Sequence, residues 1–115
     1  MQRFAFQSLM VQEKISESLT EVNTARLLTY WAASLFDRGA ENEANIAASM
    51  AKFYVTEKVA IRAIIVHGGY GVATSTGVER VLRDVEVMKI YEGINDIQKL
   101  TILRENARRL LGLKL

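Results

Sequence analysis

Glu92 lies in the stretch IYEGINDIQ, residues 90 to 98, between Tyr91 and Gly93, with Ile90 and Ile94 one step further out. A carboxylate among large apolar side chains has its charged form disfavoured and its pKa raised, which suits a general base working near neutral pH. Spacing alone leaves two placements open. Either Glu92 is enclosed by these neighbours, or it turns to water while Ile90 and Tyr91 turn inward. The segment HGGYG, residues 67 to 71, is a second candidate, because consecutive glycines let backbone N–H groups approach an anion. A dinucleotide fingerprint needs a preceding strand and the spacing Gly-x-Gly-x-x-Gly, and a Walker loop needs a following Gly-Lys-Ser/Thr. HGGYG has neither, which leaves a glycine C-cap and a tight turn. His67 has no second His, no Cys and no paired carboxylate at ligand spacing, so no metal site is expected, and it reads as a partner for a last-turn helix dipole. In VERVLRDVEV, residues 78 to 87, the run of Glu79, Arg80, Arg83, Asp84 and Glu86 is of the kind that is solvated or pairs locally. Arg83 and Asp84 are placed to pin the loop that follows.

Helices must carry these segments. The chain has no proline, and all its glycines come at Gly39 or later, so nothing breaks a helix in the first third of the sequence. From Leu9 to Arg38, Val11, Ile15, Leu19, Val22, Leu28, Trp31 and Leu35 recur at the helical period, with Ser8 to cap the start and Gly39 the end. A second helix is predicted from about Glu43 to His67, with Ile46, Met50, Phe53, Ala60 and Ile64 on its inner face, closed by GGYG. Thr76 followed by Glu79 has capping-box spacing and predicts a short helix through about Asp84. Asn95 as cap, with Gln98 reaching back, opens a last helix to about Leu111, whose apolar face is Ile97, Leu100, Leu103, Ala107 and Leu110. The expected fold class is all-α, a helical bundle of three long helices plus one short helix.

At 115 residues the chain is read as one domain, residues 1–115. A formal charge of +2 gives little reason to expect nucleic acid. The absence of cysteine excludes disulfides and thiolate chemistry and fits a reducing compartment. Apolar runs such as AIRAIIV are far shorter than a membrane span needs, and the N-terminus shows no signal-peptide pattern, so a cytoplasmic location without membrane contact is expected.

Taken in order and at these separations, HGGYG, VERVLRD and IYEGINDIQ resemble the C-terminal helical domain of the FAD-dependent acyl-CoA dehydrogenases, and the likeness extends through ASMAKFYV back to RFAF at the start. The resemblance implies that Glu92 is the base that removes the α-proton of an acyl-CoA thioester while the β-hydrogen leaves as hydride to the flavin. It implies further that the Glu92 backbone N–H helps to hold the thioester carbonyl as charge develops there. Tyr91 would line the acyl pocket, the apolar setting would keep water out, and Gly93 would let substrate approach closely. For FAD the resemblance points to Arg3, at the pyrophosphate, and to Phe6, Gly68 and Gly69. The chain departs from the family pattern with Gln7 in place of a glycine, Ile65 in place of a glutamine, Ile94 in place of a threonine and Lys14 in place of a glutamine.

Complete members carry an N-terminal helical domain and a middle β-domain, followed by a four-helix bundle. The resemblance therefore implies a fragment that begins within the bundle and is inactive alone. It would share FAD with the missing domains or a partner subunit, and would form a homo-oligomer or a hetero-oligomer with a chain that carries those domains. The alternative is a non-catalytic helical assembly module that kept the fold and lost the FAD contacts.

Overall fold

Helices propagate where apolar residues recur every three or four positions and no proline removes an N–H. In the computed structural model, which describes residues 8–112, the chain is helical nearly throughout. The order is α1 (Leu9–Asp37), α2 (Glu41–Tyr54), a π-helical turn (Val55–Val59), α3 (Ala60–His67), short 3₁₀ runs (Gly68–Val72 and Thr74–Thr76), α4 (Val78–Met88) and α5 (Asn95–Leu111). The described residues contain no strand, and the all-α expectation of three long helical rods and one short helix holds, with α2, the π turn and α3 forming the second rod. The molecule measures 57 × 26 × 25 Å.

Ser8 is the N-cap of α1, but its carbonyl, not its hydroxyl, accepts from the N–H groups of Val11 and Gln12. The helix ends where Gly39 turns left-handed at φ +76°, so that the Gly39 N–H reaches Phe36 O and the Ala40 N–H reaches Leu35 O. These two bonds form a Schellman closure that satisfies carbonyls the helix would otherwise leave open. The chain reverses at once into α2, which lies antiparallel to α1. Leu35 packs on Ala44 and Ala47 at one end of this hairpin, with Ala32 and Ala40 beside them. At the other end the Arg62 guanidinium spans to α1, meeting both carboxylate oxygens of Glu21 at 2.8 Å and also pairing with Glu17.

The hairpin core consists mostly of small side chains. Ala25, Ala44, Ala47 and Ala51 are buried, and Leu35 is the single large apolar side chain that joins them among the described residues. Alanine lets two helix backbones approach closely. The inner face of the second rod therefore runs through these alanines, whereas Ile46, Met50, Phe53 and Ile64 are only half-buried at its flanks.

Other expectations are corrected. The second helix is not continuous, because the π turn interrupts it. Thr76 does not cap α4: Gly77 does, at φ +73°, while the Thr76 hydroxyl donates to the carbonyls of Tyr70 and Ala73 and ties the preceding loop. α4 also continues past Asp84 to Met88. Arg83 pins no loop, because its guanidinium turns back one helical turn to Glu79 at 2.8 Å. In α5 the expected apolar face points outward: Ile97, Leu100, Leu103 and Leu110 are all exposed. Asn95 meets Thr56 and Glu57 of the π turn, and Ile102 lies beside Met50, Phe53 and Tyr54 of α2.

Candidate functional site

Glu92 stands in the short connection between α4 and α5. The last turn of α4 closes with the N–H of Ile90 and of Tyr91 donating to Val87 O, and the connection is cinched from the far side by the Asn95 N–H donating to Lys89 O at 2.9 Å. Between these fixed ends the backbone of Glu92 turns left-handed at φ 55°, the one non-glycine residue with positive φ among the described residues, and Gly93 follows at φ 90°. A left-handed L-residue costs about 1–2 kcal/mol and persists where the surroundings over-determine it, as happens at functional sites. The Glu92 N–H has no hydrogen-bond partner among the described residues, so it is free to donate outward.

The φ of Gly93 favours glycine, and a Cβ there would push aside the Gln98 side-chain amide. That amide donates to the carbonyls of Gly93 at 3.2 Å and Glu92 at 3.4 Å. Gln98 thus reaches back, but to carbonyl oxygens and not to a cap N–H. Ile94 is the N-cap residue and Asn95 already lies inside α5. The expected Asn95 cap is replaced by a different arrangement, in which the Asn95 side chain is 4% exposed and donates from Nδ2 to Thr56 Oγ1 at 2.8 Å and to Glu57 Oε1 at 3.3 Å. From the same rod the Lys52 ammonium donates to Gly93 O at 2.5 Å. Glu57 also pairs with Lys99 at 2.8 Å. The Lys99 hydrogen bond holds the Glu57 carboxyl below the usual carboxylate range, and the same pairing lifts the Lys99 ammonium above its ordinary value.

Neither placement left open for Glu92 describes the loop. Glu92 is exposed, and so are Ile90 (66%), Tyr91 (47%) and Ile94 (44%). The connection is too short to fold a second layer over itself, so carboxylate and apolar side chains face outward together. The wall that would exclude water is not supplied by the described residues.

Gly68 and Gly69 lie where α3 ends. Gly68 is left-handed at φ +59°, and neither glycine has an atom near the position a Cβ would take, so both backbones are approachable. The run Gly68–Val72 packs against α4, which leads into the Glu92 turn. Gly71 is buried against Ile64 O, and His67 Nδ1 lies 2.7 Å from Ala63 O at the end of α3. No group of metal-ligating side chains occurs among the described residues. Arg3 and Phe6, the other FAD candidates, lie outside the described residues. No helix among the described residues is long and apolar enough to cross a membrane.

Sequence reasoning missed Lys52, Thr56, Glu57 and Lys99 as supports of this turn. Their partners lie 38 to 42 residues away, so no local pattern in the sequence marks them.

The family model for the acyl-CoA dehydrogenase C-terminal domain matches residues 2–107. The cyclohexane-1-carbonyl-CoA dehydrogenase of Geobacter metallireducens is 41% identical over 99 residues, which is 84% of this chain and 26% of that protein. A subunit of the caffeyl-CoA reductase-Etf complex of Acetobacterium woodii is 42% identical over 91 residues, 76% of this chain and 24% of that one. Among solved structures, a chain in the work on the electron transferring flavoprotein of Acidaminococcus fermentans and flavin-based electron bifurcation superposes with a TM-score of 0.80 at 29% identity, covering 90% of this chain and 27% of its own. The chain spans about a quarter of the length of the curated relatives it matches. With the family match running across nearly its whole length, the chain belongs to the acyl-CoA dehydrogenase family, and corresponds to the C-terminal helical domain.

Proposed function

We propose that this chain is the C-terminal part, or a separate subunit, of an FAD-dependent enzyme that introduces an α,β double bond into an acyl-CoA thioester, with Glu92 as the base. The observation that carries the reading is the left-handed Glu92 followed by Gly93, a strained turn that holds an exposed carboxylate and an unpaired N–H on one residue. The carboxylate takes the α-proton of the thioester. The N–H of the same residue donates to the thioester oxygen as negative charge develops there, stabilisation that is greater in the transition state than in the ground state. Tyr91 lines the acyl side, and its exposure in this chain fits a pocket completed by other parts of the enzyme.

The described residues fit one wall of a flavin site. Gly68 and Gly69 offer approachable backbone, and Ile65 (49% exposed) and Ile94 (44%) offer apolar surface for a flat ring. When bound, FAD supplies the acceptor for the β-hydride. The remaining flavin and CoA contacts come from the rest of the protein or a partner chain, which would also cover the outward apolar face of α5 and exposed α1 residues such as Leu27 and Trp31. A second copy of the chain would cover part of that surface in an oligomer. The absence of cysteine fits a reducing compartment such as the cytoplasm.

The test is Glu92→Gln in an active assembly of this chain with the remaining domains. Acyl-CoA and flavin remain bound, and bleaching of the flavin on substrate addition slows by about 10² to 10⁴. Bleaching as fast as in the parent assembly would remove Glu92 from the base role. An assembly that folds and oligomerises but binds no flavin with any partner would favour the non-catalytic module.

A further inference from the structure

A strained turn needs an anchor, and here the anchor lies 38 to 42 residues away in sequence, on the second rod. Three of its residues converge. Lys52 takes the Gly93 carbonyl, Thr56 takes the Asn95 amide, and Glu57 takes both that amide and Lys99. Thr56 is 6% exposed and spends its single hydroxyl proton on Lys52 O at 2.9 Å, so it meets Asn95 as an acceptor. Turning the Asn95 amide over would set its oxygen against the Glu57 carboxylate, so the network has one direction. Asn95 Oδ1 is buried without a partner, and the side chain is therefore held entirely through its amide nitrogen. Thr56 lies seven residues, two helical turns, beyond buried Ser49, so the rod presents both on one face and Asn95 meets Thr56 there.

We infer that the stretch Lys52–Glu57 of the second rod is a positioning device for the Glu92 turn, with Thr56, Asn95 and Lys52 as positioning residues that hold Glu92 in its left-handed conformation. The inference rests on the reading of Glu92 as the base for its catalytic meaning, but not for its structural content. The device fixes the residues on the C-terminal side of Glu92, while the end of α4 fixes those on the N-terminal side. The carboxylate and the N–H therefore keep one relative orientation before substrate arrives, which is the preorganisation that proton abstraction and carbonyl stabilisation both need.

Thr56→Val keeps the shape of the side chain and removes the acceptor, and Thr56→Ser restores it. On the chain itself, NMR backbone shifts of Glu92 report its left-handed φ, and hydrogen exchange of the Asn95 N–H reports the closure onto Lys89 O. With Thr56→Val the Glu92 shifts move toward ordinary loop values, and exchange at Asn95 speeds up by about fivefold to tenfold, the equivalent of one hydrogen bond. Exchange at Ala47, in the hairpin core, stays as in the parent chain, and Thr56→Ser returns both readouts. Unchanged Glu92 shifts in Thr56→Val, or equal acceleration at Ala47, overturns the inference. In an active assembly Thr56→Val lowers kcat and leaves KM unchanged; a change in KM alone also overturns it. Failure of the Glu92→Gln test would dismiss the base while leaving the shift and exchange results to decide the device independently.

Discussion

The α1–α2 hairpin and the Glu92 connection are built from opposite materials. In the hairpin, alanines at 44, 47 and 51 and one leucine at 35 bring two helices together through close packing, with Arg62 bridging the far end. Around Glu92 almost every fixing contact is polar, from Lys52, Thr56, Glu57, Asn95, Gln98 and Lys99. Packing is non-directional and fixes how near two rods lie. Hydrogen bonds are directional and fix which way a peptide group points. A framework needs the first, and a left-handed turn whose peptide groups are each held in one direction needs the second.

The difference is broken most severely at Ala47, which has no exposed surface. Ala47→Leu forces extra volume into the contact with Leu35 and is expected to cost about 1–3 kcal/mol, read as a lower midpoint in chemical denaturation. A hairpin that absorbs the leucine without loss would mean that close approach is not what holds it. Asn95→Asp is the matching change on the polar side. It removes the donor to Thr56 and sets a second carboxylate beside Glu57, for an expected loss of about 1–3 kcal/mol at neutral pH. Part of that loss should return in mild acid as the carboxylate pair shares a proton, whereas Ala47→Leu should show no such recovery.

The smallest effect is the pH dependence of the Glu57–Lys99 pair. Glu57 is held below its unfolded value, so its contribution is complete above that value and is lost as pH falls through the folded one. Lys99 is held above its unfolded value, so its contribution is complete below that value and is lost as pH rises through the folded one. Melting temperature should therefore be level across the neutral range and decline below about pH 4. In Glu57→Gln the acid decline should be shallower, and Glu86→Gln, at a surface pair with Lys89, should leave the profile unaltered.

How much of this was legible in sequence follows the same division. The helical period announced α1 and α5, and Gly39 announced the end of α1, because a left-handed closure has a residue type attached to it. The three ordered motifs identified the family before any geometry was known. What periodicity misjudged was which face is covered. Leu100 and Leu103 of α5 look like core residues, but Asn95 faces the second rod, since coverage depends on what else packs there and the described residues leave that side open. Thr56 and Asn95 read as an ordinary helical threonine and an ordinary cap because their partnership spans 39 positions, beyond the reach of any local pattern. The left-handed Glu92 was equally hidden, since nothing in Tyr-Glu-Gly marks the glutamate, and not only the glycine, as the strained residue.

The distance in sequence between the π turn and the connection it grips also sets an order of assembly. The hairpin closes over the three residues Arg38 to Ala40, so its contacts are local and can form as soon as α2 exists. The Lys52–Gly93 and Thr56–Asn95 bonds close far longer loops and must wait for α3, α4 and the start of α5. On a ribosome the framework would be complete while the segment bearing Glu92 was still unmade. Glu92 is thus among the last parts of the chain to acquire its shape, and a nascent chain stopped before Asn95 would have its rods in place while the turn at Glu92 still lacked its anchor.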